Sequence, residues 1–461
     1  MTNLDEIESW LHQELPALAA RHRLPGLSVA IAAGDRTIDY SAGLLSLATG
    51  VQVTPDSVFQ IGSITKVWTA TLVMQLVDDG LLDLDAPLTT YLPDFRLADQ
   101  AAASAITTRH LLSHTGGFEG EVFLDTGVGD DCVEKYVAAL ADVPQTFPPG
   151  AMFSYNNAAF SVLGRLVEVL RGAPYDDCLR QHLIAPLGLT DTAAGVYDAI
   201  LHRAAVGHLE PAPGADLVPA PLWSLPRSLI PSGATLAMSA RDLVSFARMH
   251  VGGGSLGGTA VLSAASVRAM QEWQIDVPYL GDPSMFWGLG WQQWRWSDQP
   301  VFGHNGGTIG QRSFLLVAPE RQVVLVLLAN GGDVAAVYDT LASHVFEQLA
   351  GISVPPVPVP PAQPSAFDAS RYLGTYTSSL AERTVSQDEH GRLWVDVEPS
   401  PVAVALGDAP QRYELVHLSE HTFLTAQTIE GRHAPHTFVG ADAEGRSEYL
   451  HWSRADRRRP S

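Results

Sequence analysis

Residues 59–80 read FQIGSITKVWTATLVMQLVDDG. The run from Trp68 to Val77 is mostly apolar and built of helix formers, which predicts a buried helix. Ser63 and Lys66 stand at its mouth. Positions i and i+3 share a helix face, so the two side chains are within reach of each other. Gly62 lets another backbone approach just before the serine. At a helix start, free N–H groups and the helix dipole favour an oxyanion. Burial of Lys66 would lower its pKa, so that it could take the serine proton near neutral pH. The plain alternative is a capping serine with a lysine that snorkels to solvent. A lone SxxK does not separate the two.

Two further motifs favour the chemical reading. In FSYNNAAFSVLGRLVEVL, Tyr155 and Asn157 form a Y-x-N triplet at the entrance of another helix. A tyrosine there can relay a proton, and Asn157 can hydrogen-bond a substrate amide. A helix cap with a packed tyrosine is the plain alternative. In VFGHNGGTIGQRSFLLVAPERQVVLVLLAN, His304, Asn305 and Gly306 end a short strand and precede two strong ones. Gly306 and Gly307 would let a substrate lie along the strand edge. The N–H groups of Gly307 and Ser63 would form an oxyanion hole. Standing alone, His304 would be a turn residue.

In the order SxxK, YxN, HxG, the chain resembles the penicillin-recognising serine enzymes, in their class C β-lactamase and DD-peptidase branch. TTRHLLSHTGGF, FPPGAMFSYNNAAF and PSGATLAMSARDLVSFARMH match the style of that family. The resemblance implies an α/β (α+β) fold: an antiparallel sheet flanked by helices, plus an all-helical subdomain, with the site between them. It implies Ser63 as nucleophile, Lys66 as its base, Tyr155 as proton relay, and His304 and Asn157 as relay or substrate-binding groups. Asn305, Gly306 and Gly307 would bind substrate. Many β-lactamases carry K-T-G where this chain has H-N-G. A neutral histidine holds a β-lactam carboxylate less well than lysine does. The pattern is closer to D-aminopeptidases, esterases, transacylases and penicillin-binding-protein-type thioesterases.

Around these motifs the chain divides into three expected segments. Residues 1–351 form the catalytic domain. They begin with an amphipathic helix and two strands joined at Gly34-Asp35, and they end in a helix over DVAAVYDTLASHVFEQLAG. Residues 352–365 form a Pro-rich extended linker. Residues 366–461 read as a separate antiparallel barrel or sandwich, and the resemblance implies a lipocalin-like β domain that can cover the cleft. YLGTYTS, RLWVDVEP, VAVALG, RYELVHLS, HTFLTAQ, HTFVGAD and SEYLHWSR supply its strand signals. The basic end, SRADRRRPS, reads as a solvated tail.

The net charge of −22 argues against nucleic acid and anionic membrane as partners. No stretch reads as a signal peptide or a membrane span, and the two cysteines lack CxxC spacing. These features favour a cytoplasmic protein with free thiols. GGSLG matches GxSxG at Ser255, but a helix rather than a strand precedes it. His110 and His114 have the i, i+4 spacing of zinc helices without the intervening glutamate or a third ligand. No metal and no cofactor are expected.

The expected function is a serine acyl-enzyme hydrolase or acyltransferase. It would cleave or transfer a peptide, amide or ester acyl group through Ser63, with a small molecule or a D-residue-containing peptide as substrate. A narrower alternative is a thioesterase that releases or macrocyclises a nonribosomal peptide from a peptidyl carrier protein. The alternative outside enzymes is a binding or scaffold protein of the same fold without turnover.

Overall fold

The computed structural model describes residues 3–212, 214–405, 409–429 and 431–460. Among them, eight strands form one antiparallel sheet: β1 (Gly26–Ala33), β2 (Arg36–Gly43), β3 (Ile275–Asp276), β4 (Phe286–Trp287), β5 (Gln292–Trp296), β6 (Gln299–Thr308), β7 (Gln311–Ala318) and β8 (Val323–Ala329). Their order across the sheet is β3-β4-β5-β6-β7-β8-β1-β2. The N-terminal hairpin therefore completes a sheet whose other strands come from the far end of the domain.

Alternation along the central strands divides the core into two layers. Ala30 and Ala32 of β1, with Val324, Val326 and Leu328 of β8, join one apolar cluster. Leu27, Val29 and Ile31, with Val323, Leu325 and Leu327, join the other. Helix α1 (Asn3–Arg21) covers the second face through Leu4, Ile7, Leu11 and Leu15. Helix α2 (Thr65–Asp78) lies in the first layer and is buried from Thr65 to Leu76. That burial on all sides explains why its sequence lacks a polar stripe. Trp68 of α2 stacks on Phe246, with ring centroids 4.0 Å apart.

Helix α3 (Asn157–Arg171) starts where Asn156 caps it by accepting from the N–H of Ala159 at 2.7 Å. It ends at Gly172 in the left-handed region (φ 67°). Helix α4 (Ala240–Val251) runs against β1 and β8, and α5 (Val334–Val345) joins α1 on the opposite face. The segment FWGLGWQQWRW is two strands, β4 and β5, broken at Gly290 (φ 85°).

The C-terminal part is a closed antiparallel barrel of β9 (Gly374–Thr377), β10 (Ala381–Gln387), β11 (Leu393–Pro399), β12 (Gln411–Ser419), β13 (Thr422–Ile429), β14 (Arg432–Val439), β15 (Tyr449–His451) and β16 (Ala455–Arg458). Pairing of β16 with β9 closes it and removes both sheet edges. Two expectations are corrected here. VAVALG is not a strand: Pro401–Ala405 is helical, and residues 406–408 lie outside the described residues. The basic end is not a solvated tail, because Ala455 and Asp456 are buried and β16 is the closing strand. The sequence reading also passed over β10, whose AERTVSQ lacks an apolar run.

Between Ala350 and Ala369 the chain forms no helix or strand. It is nonetheless tied at both ends. Ser353 N donates to Ser297 Oγ at 3.1 Å, and Ser365 Oγ pairs with His417 Nδ1 at 2.8 Å. No helix among the described residues is long and apolar enough to cross a membrane.

Candidate active site

The turn before α2 brings three backbone segments together. Gly62 has φ 51°, and a Cβ there would lie 2.6 Å from the amide nitrogen of Gly307. A Cβ on Gly306 would lie 1.9 Å from the carbonyl oxygen of Ile61. Only glycine fits at either position. Gly306 thus serves the close approach of β6 to the serine turn. Ser313 Oγ, from β7, donates to the same Ile61 oxygen at 2.7 Å and fixes the approach. Gly307 N consequently faces the residue next to Ser63.

Lys66 sits on the first turn of α2 and is 0% exposed. Its Nζ lies 3.1 Å from Ser63 Oγ and donates to the carbonyl oxygen of Ser232 at 2.6 Å. It also lies 4.9 Å from the centre of the Tyr155 ring. Burial pushes its pKa down from 10.5 to about 7. The negative charge of Glu121 works against that shift, and the positive charge of Arg454 works with it. A neutral amine can donate to Ser232 O and still offer its lone pair to the serine proton.

Burial raises the Tyr155 phenol, and its hydrogen bond with Ser63 works in the opposite direction. The phenol therefore stays protonated at neutral pH and can give a proton rather than take one. His304 lies buried on β6, with Nδ1 2.6 Å from the carbonyl oxygen of Asn305. A carbonyl can only accept, so Nδ1 carries the proton and Nε2 offers a lone pair. Burial and the nearby Lys66 push its pKa down to about 3. This histidine is uncharged and cannot replace the lysine of K-T-G as an anchor for a carboxylate.

Ser63, Tyr155, His304, Asn305, Gly306 and Gly307 all line one cleft of about 870 Å³. Asn157 does not. It is the first residue of α3, and its Nδ2 donates to both carboxylate oxygens of Glu121, at 3.0 and 2.9 Å. Glu121 does not line this cleft either. Trp287 lines the cleft. Ser255 lies in a two-strand hairpin with Thr259–Ala260 and is not on a nucleophile elbow. His110 caps a short helix through Nδ1. Among the described residues, no group of three or more His, Cys, Asp or Glu side chains is arranged to hold a metal ion.

Four contributors escaped the sequence reading. The carbonyl oxygen of Ser232 holds Lys66. His114 accepts from Asn156 N at 3.0 Å and stacks on Tyr155, with centroids 4.4 Å apart. Glu121 and Arg454 form an ion pair at 2.7 Å, and the Arg454 guanidinium lies 5.1 Å from the Tyr155 ring centre. Arg454 belongs to the turn between β15 and β16, so the barrel itself contributes to the cleft wall. Its only sequence signal was a basic cluster at the chain end, which has no periodicity linking it to Tyr155.

A base with a pKa near 7 sets a pH profile. With Lys66 as the base for Ser63, the acylation rate is expected to fall about tenfold per unit below pH 7 and to level off above it. Measuring the rate of covalent labelling by a reactive ester against pH checks this. A flat profile through pH 6 would show that the base is another group.

A buried lysine beside a serine, a tyrosine near both and a glycine-edged strand fit a fold of the serine-hydrolase type. The chain belongs to the β-lactamase family, whose model matches residues 11–350. Members of this family are serine hydrolases. The chain is 43% identical over 370 residues to penicillin-binding protein 4 of Amycolatopsis lactamdurans, covering 79% of this chain and 96% of that one. The solved structure of SurE matches it with a TM-score of 0.81 at 29% identity, over 99% of both chains. SurE with D-Leu matches with a TM-score of 0.75 at 29% identity, over 99% of this chain and 100% of that one. The D-amino acid amidase of Ochrobactrum anthropi SV3, solved with L-phenylalanine amide, shares the fold (TM-score 0.63, 24% identity, 75% of this chain and 99% of that one).

Proposed function

We propose that this protein is an acyl-serine enzyme that cleaves or transfers a peptidic acyl group through Ser63. The observation that carries the reading is Lys66: fully buried, 3.1 Å from Ser63 Oγ, with its pKa pushed down to about 7. Lys66 takes the Ser63 proton as Oγ attacks the carbonyl carbon. The oxyanion is stabilised by the N–H groups of Ser63 and Gly307. Tyr155 gives its proton to the leaving group and regains one from Lys66. Water or an amine then attacks the ester, and the same groups run in reverse. Asn305 and Gly307 provide the polar edge for the substrate backbone, and the reaction takes place in the cytoplasm. The match to SurE over both domains, including a form with D-Leu, supports a donor that contains a D-configured residue.

A second reading has a peptidyl thioester on a carrier protein as donor and an amine as acceptor, so that the product is a macrocycle. The closed barrel favours it, because Ile429, Arg432 and Arg454 wall the cleft from the barrel side. A cleft walled on one side by the barrel would limit water and hold an organic acceptor. The test is a partition ratio. A peptide ester or thioester ending in a D-residue is supplied with rising amine, and acid is quantified against amide. Amide is expected to dominate for a well-chosen amine. Acid as the sole product across many donors and amines would leave a plain esterase or peptidase.

A further inference from the structure

The turn that carries Arg454 is held from inside the barrel. Arg383 on β10 and Asp456 on β16 form an ion pair, with side chains 9% and 0% exposed. Asp456 Oδ1 also accepts from Trp452 Nε1 at 3.2 Å. The Trp452 ring contacts two guanidinium groups: that of Arg383 lies 4.2 Å from its centroid and that of Arg454 lies 5.3 Å away. Arg454 in turn pairs with Glu121 and lies over Tyr155.

Between Trp452 and Arg454, Ser453 has φ 102°, a region that side chains disfavour. Such a conformation persists only where its surroundings enforce it. Here the catalytic domain does so. Tyr155 N donates to Ser453 O at 2.9 Å, and Ala455 N donates to Ser154 Oγ at 3.1 Å. The turn is thus clamped between the segment that presents Tyr155 and the ion pair inside the barrel.

We infer that Trp452 is a positioning residue that couples the barrel interior to the active site: Asp456 and Arg383 fix the indole, and the indole fixes Arg454 over Tyr155. The inference rests on the acyl-serine reading above.

Its consequence falls on Lys66. Ser63, Tyr155, the carbonyl of Ser232, the uncharged His114 and His304, and the charges of Glu121 and Arg454 surround that amine. Glu121, Glu119 and Tyr155 face Arg454. Glu121 favours protonated Lys66 and Arg454 disfavours it. When Arg454 loses its platform, the opposition to Glu121 weakens. Lys66 then holds its proton to higher pH.

The test uses the full chain and a fluorophosphonate probe, with labelling of Ser63 followed against pH. Trp452→Leu removes both the ring and its N–H. It is expected to slow labelling about tenfold or more at the plateau and to move the acid limb up by roughly half a pH unit. Trp452→Phe keeps a ring face without the N–H, and should show a smaller shift in the same direction. In an Arg454→Ala background, Trp452→Leu should add nothing, because both act through one guanidinium. Thermal melting confirms that each variant is folded. If Trp452→Leu does not fold, Trp452→Phe and its cycle with Arg454→Ala decide. A wild-type pH profile in the folded variants, or full additivity with Arg454→Ala, would overturn the inference. Absence of label on Ser63 in the unaltered protein would overturn both it and the acyl-serine reading.

Discussion

Ser63→Ala is expected to lower turnover of any accepted ester, amide or thioester by roughly 10⁵-fold, with little change in melting temperature. The substitution removes one oxygen at a partly buried position in the 3-10 turn before α2 and leaves the Gly62 backbone intact. Residual rate would come from binding and from the N–H groups of residue 63 and Gly307, which survive the change. Turnover within a few-fold of the original would move the nucleophile elsewhere. Folding is checked separately by thermal melting.

Lys66→Ala and Lys66→Arg should each lose about 10³- to 10⁴-fold in the acylation rate. Arginine keeps the charge but cannot give up its proton at any working pH, so it cannot serve as the base. It must also fit into a site already filled by Tyr155, Phe160 and the carbonyl of Ser232. Stability should move the other way in a shape-conserving change. Burial disfavours the protonated amine, so Lys66→Met is expected to melt at or above the temperature of the parent protein, most visibly below pH 7. The sign follows from linkage. The unfolded chain holds a proton on Lys66 up to its ordinary pKa, whereas the folded chain gives it up near 7, so the lysine lowers stability as pH falls through that window. Near-normal labelling in Lys66→Arg would show that the base is not Lys66.

How far the site could be read from sequence depends on how local its logic is. Ser63 lies in the 3-10 turn Gly62–Ile64 that runs directly into α2, and Lys66 stands three residues on in the first turn of α2, so local spacing alone brings them together. Tyr155 was legible from the Y-x-N triplet at the entrance of a helix; that Asn156 caps this helix came only with the structure. The β1–β2 hairpin and the pair β7–β8 were legible from their apolar runs and turn residues. Asn157 illustrates the limit of a motif. Its position was readable, but Glu121, which holds its side chain, is 36 residues away with no pattern to link them.

Arg454 lies further still from what spacing can say. Its place over Tyr155 depends on closure of the barrel and on docking of one hairpin turn against Phe153–Tyr155. Glutamine, serine and arginine on β10 gave no apolar alternation, so that strand and its buried Arg383 were invisible as well. Both misses share one cause: polar residues buried by pairing look like surface until the partner is known.

The central claim is a covalent acyl-enzyme on Ser63 with Lys66 as its base. The most direct measurement is intact-mass analysis after reaction with a slowly released ester, followed by peptide mapping across residues 59–80. A single acyl adduct on Ser63, formed faster as pH rises through 7 and missing from Ser63→Ala, is the predicted result. An adduct on another residue, or undiminished labelling in Ser63→Ala, would contradict it.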